Sequence, residues 1–396
     1  MTSQNIEKPS YSKSHDVIRL SAKRYEQSPY LSKYMVDDAI FGLYASRFYP
    51  LSLGGDPINE YWNLRKKAML YDVPEKPLEI KGADAVKLLE GVFTRKIGSL
   101  KQWRARYAIA CTPRGGILMD GVLIRLAEDH FWYVQADGEF ETWLLAHSAG
   151  LDVTIRDPKS WVLQIQGPNS LKILEAASNK SIDDFGYFHA GEFDFNGENL
   201  LVTRTGWTGE TGFEIYSRPE IDHLGLWDYL LEVGRPFGLQ FGSLESMGMR
   251  RIEAGILDNG TDIDPSMNPF EAGLGMFVNF KKDDFVGREA LTNTNQAQLL
   301  FGLVTETGMP QTNCDVLLAG ESVGRMTTGG WSPTLEKGIG YVRFARPHAE
   351  GESWLGKGIT LVDRQGEHHL AEVVTLPFYD QEKLIPRGLK ESSGDG

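Results

Sequence analysis

Two acidic side chains in this sequence stand where a carboxylate could do chemistry. The first is Glu214, which follows a glycine-rich bend, residues 204–212, and alternates with apolar residues at the strand period of two. Trp207 lies in the same bend, and a carboxylate beside an aromatic ring could grip a flat heterocycle with an amide-like edge. From these residues alone, an ordinary hairpin with a surface glutamate explains the segment equally well.

The second acidic side chain is Asp120, which enters an apolar strand shortly after a turn that contains two glycines. An unpaired carboxylate is costly to bury, so an inward-facing Asp120 implies a ligand or a hydrogen-bond partner. An aspartate at the turn edge, in solvent, is the alternative. None of the eight histidines has the spacing of metal ligands, and neither Cys111 nor Cys314 has the sequence context of a nucleophile. We expect no protein-bound metal.

The composition indicates a soluble protein of several domains. With 396 residues, 41% of them hydrophobic, the chain can bury the cores of about two or three domains. A formal charge of −13 argues against nucleic acid or an anionic membrane surface as the main partner. No apolar run approaches the ~18–20 residues of a membrane span, and the N-terminus lacks the apolar core of a signal peptide. Two cysteines exclude a disulfide framework, so we expect a cytoplasmic protein without nucleic-acid or membrane partners.

The elements that must position these residues are strands and helices mixed without the regular spacing of a parallel doubly wound fold, which indicates the α+β class. Residues 61–70 have apolar positions at helical spacing. From Leu299 onward, short strands alternate with Gly, Asn and Pro, which predicts a compact all-β C-terminal domain.

Six motifs follow one another in an order that resembles one protein family. They are Tyr107 with Asp120, and residues 163–168, 204–214, 251–255, 285–288 and 330–333. The chain resembles the aminomethyltransferase family, which comprises the T-protein of the glycine cleavage system and its folate-dependent demethylase relatives, such as dimethylsulfoniopropionate demethylase. The resemblance runs from about residue 60 to residue 380.

The resemblance implies a three-domain cloverleaf around a central tetrahydrofolate channel, whose last domain is a β-barrel or jelly roll. We therefore expect an N-terminal arm over residues 1–40 and a folate-binding region of two interleaved α+β domains over residues 41–295. A C-terminal β-barrel is expected over residues 296–385, followed by a disordered tail over residues 386–396.

The resemblance also implies roles for four side chains. Glu214 matches the glutamate that holds the pterin, where one carboxylate accepts two N–H bonds. Tyr107 and Trp207 match aromatic positions that line the folate. Asp120 matches the aspartate near N5 of the folate and the one-carbon donor, where it would orient a cationic donor or stabilise charge as the carbon moves.

Departures from the T-protein pattern favour the demethylase branch of the family. Met119 precedes Asp120 where T-proteins usually have a second acidic residue. Met247 occupies the position of an arginine that contacts folate in the T-protein, and residues 72–76 replace an Asp-Val-Ser-His-Met signature. Residues 126–132 also look more like the demethylases.

We therefore expect a tetrahydrofolate-dependent methyltransferase that demethylates a small sulfonium, quaternary amine or methoxy compound and passes the methyl group to N5. The alternative is a glycine cleavage aminomethyltransferase, which takes its group from a lipoyl carrier protein and produces 5,10-methylenetetrahydrofolate and ammonia. A third reading is a non-catalytic folate-binding iron–sulfur assembly factor, although the thiol of those relatives is absent at residues 284–287. Tyr44, Tyr49 and Trp62 are candidates for contact with the donor, with core or rim packing as their other role.

Overall fold

The computed structural model describes residues 22–392 of the chain. The strands that precede the C-terminal barrel are β1 (Ile40–Tyr44), β2 (Arg47–Ser52), β3 (Ala68–Val73), β4 (Lys76–Lys81), β5 (Arg104–Cys111), β6 (Ile117–Ala127), β7 (His130–Gln135), β8 (Thr154–Arg156), β9 (Trp161–Gln166), β10 (Ala190–Phe195), β11 (Glu198–Thr203), β12 (Gly212–Ser217) and β13 (Leu239–Phe241). The helices are α1 (Pro57–Lys66), α2 (Ala85–Val92), α3 (Phe140–His147), α4 (Ser170–Ser178), α5 (His223–Gly234), α6 (Leu244–Glu253) and α7 (Arg288–Thr292). None of the helices found between residues 22 and 392 has the length and apolarity needed to cross a membrane.

The C-terminal part of the chain is a closed β-barrel. Its strands are β14 (Leu300–Thr305), β15 (Asp315–Leu318), β16 (Glu321–Ser332), β17 (Lys337–Phe344), β18 (Gly358–Val362) and β19 (His368–Val374). They close in the order β14-β17-β16-β15-β18-β19 around buried apolar side chains such as Leu303, Val342 and Val373. The α+β class and the predicted C-terminal barrel are confirmed.

Two open sheets carry the candidate site. The larger has the order β10-β11-β12-β9-β3-β13, and one of its faces packs Phe213 and Ile215 against helices α4 and α5. The smaller has the order β5-β6-β7-β4-β8 and packs against α2 and α3. All strands of the smaller sheet come from residues 76–156, whereas the larger sheet takes β3 from before that stretch and β9 to β13 from after it. The five-stranded domain is thus inserted into the six-stranded one.

The helical prediction for residues 61–70 is wrong for residues 67–70. Helix α1 ends at Lys66, and strand β3 begins at Ala68. All six residues of β3 are buried, because the strand lies inside the six-stranded sheet and is covered on both faces. A short strand of this kind shows no apolar–polar alternation, so its sequence resembles the end of an apolar helix face.

The described part of the predicted N-terminal arm packs on the six-stranded domain. Tyr30 and Tyr34 are buried, and their rings lie 5.6 and 5.9 Å from that of Trp227 on α5. Residues 1–21 and 393–396 lie outside the described residues. The domain boundaries, the arm and the disordered tail therefore stay predictions.

A hairpin made of β1 and β2 joins the two sheet domains. At its tip, the Ala45 N–H donates to Oδ1 of Asp137, which follows β7, at 2.7 Å. From β2, Arg47 donates to the backbone oxygen of Glu75, between β3 and β4, at 2.7 Å. These two contacts place Tyr44, the last residue of β1, at the junction of the domains.

Candidate active site

Glu214 lies at the centre of a buried hydrogen-bond network on β12. Its side chain is 6% exposed, and the strand register sets it beside Gln164 of β9 and Thr203 of β11. The hydroxyls of Thr203, Thr205 and Tyr216 donate to Oε2 at 3.1, 2.5 and 2.7 Å, and the amide of Gln164 donates to Oε1 at 2.7 Å. Burial raises the pKa of the Glu214 carboxyl, and these donors lower it. Three donors fill Oε2, whereas Oε1 keeps capacity to accept another N–H group.

The alternation predicted for this strand is present. Phe213 and Ile215 lie in the apolar core on one face, and Glu214 and Tyr216 lie on the other. The alternative of a surface glutamate is wrong, because the Glu214 side chain is almost entirely buried. The carboxylate has four donors, from β9, β11, the bend and β12 itself, which fix its position within the sheet.

The glycine-rich bend between β11 and β12 is held by a buried ion cluster. Oε1 of Glu210 accepts a hydrogen bond from Nε of Arg250 at 2.8 Å and another from Arg65, and the three side chains are each at most 3% exposed. Gly209 has a φ of +67°, and a Cβ added there would lie 2.5 Å from the Cβ of Ala254. Helices α1 and α6 therefore determine the path of the bend, and only glycine fits at position 209.

We expect Glu210→Gln to lower the free energy of unfolding by about 1–3 kcal/mol, because one amide oxygen cannot replace a carboxylate between two buried guanidinium groups. Urea unfolding followed by circular dichroism measures the difference. Glu220→Gln, an exposed substitution in the same domain, is the control and should leave the midpoint unchanged. An unchanged midpoint for Glu210→Gln would contradict the idea that this cluster holds the bend.

Asp120 lies on β6 with both of its carboxylate oxygens bonded. The hydroxyl of Tyr107 donates to Oδ2 at 2.8 Å, and the amide of Asn259 donates to Oδ1 at 2.9 Å. The side chain is 7% exposed; burial raises the pKa of Asp120, and the two donors lower it. The alternative of a solvent-exposed turn residue is wrong. Tyr107 is itself held by an edge contact with Phe277, whose ring centroid is 4.8 Å away.

Tyr44 of the hairpin lies within reach of acidic side chains from several parts of the chain. Burial raises the pKa of its phenol well above the usual value, and the charges of Glu75, Asp258, Asp120 and Asp137 raise it further. Burial also raises the pKa of Asp258 to about 6. Several acidic groups therefore surround Asp120, and those that are ionised suit a cationic donor group.

Trp207 and Met247 belong to one apolar cluster rather than to the carboxylate network. Both pack in a cluster that also contains Tyr216, and the guanidinium of Arg251 lies 5.0 Å from the Trp207 ring centroid. Met247 is 1% exposed. The resemblance to T-proteins predicts an arginine at this position. The structure instead has a buried methionine that packs in an apolar cluster.

Of the four predicted site residues, the structure brings Asp120 and Tyr107 into hydrogen-bond contact. Glu214 bonds to donors that were not predicted, and Trp207 packs in the apolar cluster. The sequence interpretation missed Gln164, Glu75 and Asn259. Gln164 had a readable signal, because polar residues alternate with apolar ones along β9. Asn259 and Glu75 lie outside the strands and helices. No motif pointed to Asn259, and residues 72–76, which contain Glu75, were noted only as a departure from the T-protein signature.

The walls around Glu214 fit the donor-rich edge of a reduced pterin. Oε1 of Glu214 keeps a free acceptor site, and Oε1 of the fully buried Gln164 has no hydrogen-bond partner in the described part of the chain. The 2-amino and ring N–H groups of a pterin are the donors that such oxygens require. Among residues 22–392, no group of His, Cys, Asp and Glu side chains is arranged to hold a metal ion.

A separate small cavity, of about 30 Å³, lies beneath the bend and is lined in part by Tyr187, Gly206 and Arg250. This volume can hold a water molecule. It is too small for a pterin, because pockets that bind small molecules have volumes of about 300 Å³ or more. None of the four predicted site residues lines it. We assign no cofactor to this cavity.

Comparisons with known proteins identify the family of the chain. The GCVT N-terminal domain model matches residues 41–282, and the glycine cleavage T-protein C-terminal barrel domain model matches residues 299–380. The aminomethyltransferase of Streptomyces avermitilis is 35% identical over 349 residues, which are 84% of this chain and 92% of that protein. The aminomethyltransferase of Alkaliphilus metalliredigens is 33% identical over 334 residues, 81% of this chain and 89% of that protein.

A solved structure is also similar. The crystal structure of glycine cleavage system aminomethyltransferase T from Bartonella henselae superposes with a TM-score of 0.78 at 26% identity, covering 90% of this chain and 98% of that one. These similarities confirm the family resemblance, the fold, the class of enzyme and the use of tetrahydrofolate. The chain therefore belongs to the aminomethyltransferase, or glycine cleavage T-protein, family of tetrahydrofolate-dependent one-carbon transferases.

Proposed function

We propose that the protein transfers an aminomethyl group from a lipoyl carrier protein to tetrahydrofolate, producing 5,10-methylenetetrahydrofolate and ammonia. The observation that carries this proposal is the alignment with aminomethyltransferases along 92% and 89% of their own lengths. The sequence motifs favoured demethylation of a small donor, and the relatives favour the alternative instead. Two free, buried cysteines suit a reducing compartment, and we place the enzyme in the cytoplasm.

Each predicted site residue has a physical task in this proposal. Tetrahydrofolate supplies the nitrogen atoms that accept the one-carbon unit. Glu214 holds the amino-bearing edge of the pterin, and Tyr107 and Trp207 line the folate. Asp120 orients the cationic amine of the donor and stabilises charge as the carbon moves. Because Tyr107 and Asn259 already fix both Asp120 oxygens, the carboxylate needs no reorganisation during the reaction.

Methyl transfer from a small cation is the second candidate, and the acidic surroundings of Tyr44 favour it. A sulfonium or quaternary ammonium group is attracted by the carboxylates near Tyr44 and by aromatic faces. The apolar packing of Met247 also supports it, because the arginine expected in a T-protein is missing.

One experiment separates the two candidates. The purified protein is incubated with tetrahydrofolate and either aminomethyl-loaded lipoyl carrier protein or a panel of methylated sulfonium, betaine and methoxyaryl compounds. Mass spectrometry distinguishes the methylene product from the methyl product, and an ammonia assay reports aminomethyl transfer. Ammonia and 5,10-methylenetetrahydrofolate from the loaded carrier are expected. Formation of 5-methyltetrahydrofolate from a panel compound, with no product from the carrier, would overturn the proposal.

A further inference from the structure

We propose that Glu75 is a second carboxyl group of the pterin site, joined to Glu214 through Gln164 and directed at an N–H group of the bound cofactor. This inference rests on the proposed folate function and assigns a further binding residue to the same site. Glu75 lies in the short connection between β3 and β4, where the chain leaves the six-stranded domain and enters the five-stranded one.

A single amide bridges the two carboxyl groups. Nε2 of Gln164 donates to Oε1 of Glu214 at 2.7 Å and to Oε1 of Glu75 at 3.1 Å, so both of its N–H groups are used. Gln164 is 0% exposed, and its position in the middle of β9 fixes the amide relative to the sheet. The bridge therefore holds the Glu75 carboxyl beside that of Glu214.

Two acceptor atoms beside this bridge lack a donor. Oε2 of Glu75 and Oε1 of Gln164 are both buried, and neither accepts a hydrogen bond from any residue between 22 and 392. Buried acceptors are rarely left unpaired, because each loses its hydration without replacement. Glu214 alone cannot serve every N–H group of the pterin edge, since three hydroxyls already occupy its Oε2. Glu75 supplies the missing acceptor.

The charges around Glu75 make its role measurable as proton release. The charged and titratable groups that face it are Glu214, Asp72, Arg47, Tyr44 and Tyr216. Burial, followed by the charge of Glu214, raises the pKa of Glu75, so this carboxyl keeps its proton to a higher pH than an exposed glutamate does. An N–H donor from a ligand stabilises the ionised form and lowers the pKa again. Binding then releases a proton, and affinity is greatest above the free pKa and falls as the pH drops below it.

Anaerobic titration calorimetry with tetrahydrofolate tests this role. Measurements in two buffers of different ionisation enthalpy give both the affinity and the number of protons released. Glu75→Gln imitates the protonated carboxyl and is expected to fold, because burial already disfavours the charge. At pH 7 the natural protein should release more protons on binding than this variant. The affinity of the natural protein should rise with pH, by at most about tenfold per pH unit, and more steeply than the affinity of the variant.

A second variant and a control complete the design. Gln164→Leu removes the bridge and should weaken tetrahydrofolate binding about tenfold or more, whereas Gln240→Leu, an exposed substitution on β13 of the same sheet, should not. Equal affinity and equal proton release in the natural protein and Glu75→Gln would overturn the assignment of Glu75 and leave the folate function intact. Absence of tetrahydrofolate binding by the natural protein would overturn the proposed function itself.

Discussion

Glu214→Gln should weaken tetrahydrofolate binding by about ten- to a hundredfold. A hydrogen bond to a charged acceptor contributes about 1.5–3 kcal/mol, and the variant loses the charge behind the bond that Oε1 accepts from the pterin in the proposed pose. The amide of the variant also has to turn its NH₂ group either toward the hydroxyls of Thr203, Thr205 and Tyr216 or toward the N–H groups of the ligand. Titration calorimetry at fixed pH and salt measures the change.

Glu192→Gln is the matched control for this prediction, because Glu192 is an exposed residue of β10 in the same sheet. Its affinity for tetrahydrofolate should equal that of the natural protein. Thermal unfolding of both variants checks that the sheet is intact. Full affinity in a folded Glu214→Gln protein would show that the pterin is not held by this carboxylate.

Asp120→Asn should slow one-carbon transfer about 10²–10³-fold while changing tetrahydrofolate affinity little. A pre-oriented charge at the reacting group contributes on this scale when it acts in a water-poor site. The variant keeps the size of the side chain, but its NH₂ group has to face Tyr107 or Asn259, both of which donate to Asp120. Single-turnover measurements give the rate of transfer, and calorimetry gives the affinity separately.

Asp129→Asn, in the exposed turn between β6 and β7, is the control and should transfer at the natural rate. If Asp120→Asn lost affinity and rate in equal proportion, Asp120 would be a binding residue for the folate. An undiminished rate would assign the charge-stabilising role to another acidic group, and Asp258, which interacts electrostatically with Asp120, would be tested next.

Parts of the fold were predictable because local signals mark both ends of an element. Strand β9, for example, ends at Gln166, because its alternation stops at the turn that begins with Gly167. Strand β3 could not be separated from helix α1 by its own sequence. Its identity as a strand depends on neighbours in the sheet, which come from residues far away in the chain.

The candidate site was also only partly predictable from the sequence. Asp120 and Glu214 could be selected from the sequence because an acidic residue that interrupts an apolar strand needs a partner or a ligand. Their pairing with Gln164 and Asn259 could not be predicted, because it depends on tertiary structure: Gln164 lies 50 residues before Glu214, and Asn259 lies 139 residues after Asp120. No local pattern encodes such distances.

The insertion of the five-stranded domain divides the chemistry of this enzyme between two modules. Residues 76–156 leave and re-enter the host on β4 and β8, which pair with each other, so the two ends of the insert lie close together. The insert carries Asp120, which orients the donor in the proposed function, and the host carries Glu214, which holds the cofactor in that proposal. Exchange of the insert between family members would therefore alter the choice of donor while leaving the strand that holds the pterin untouched.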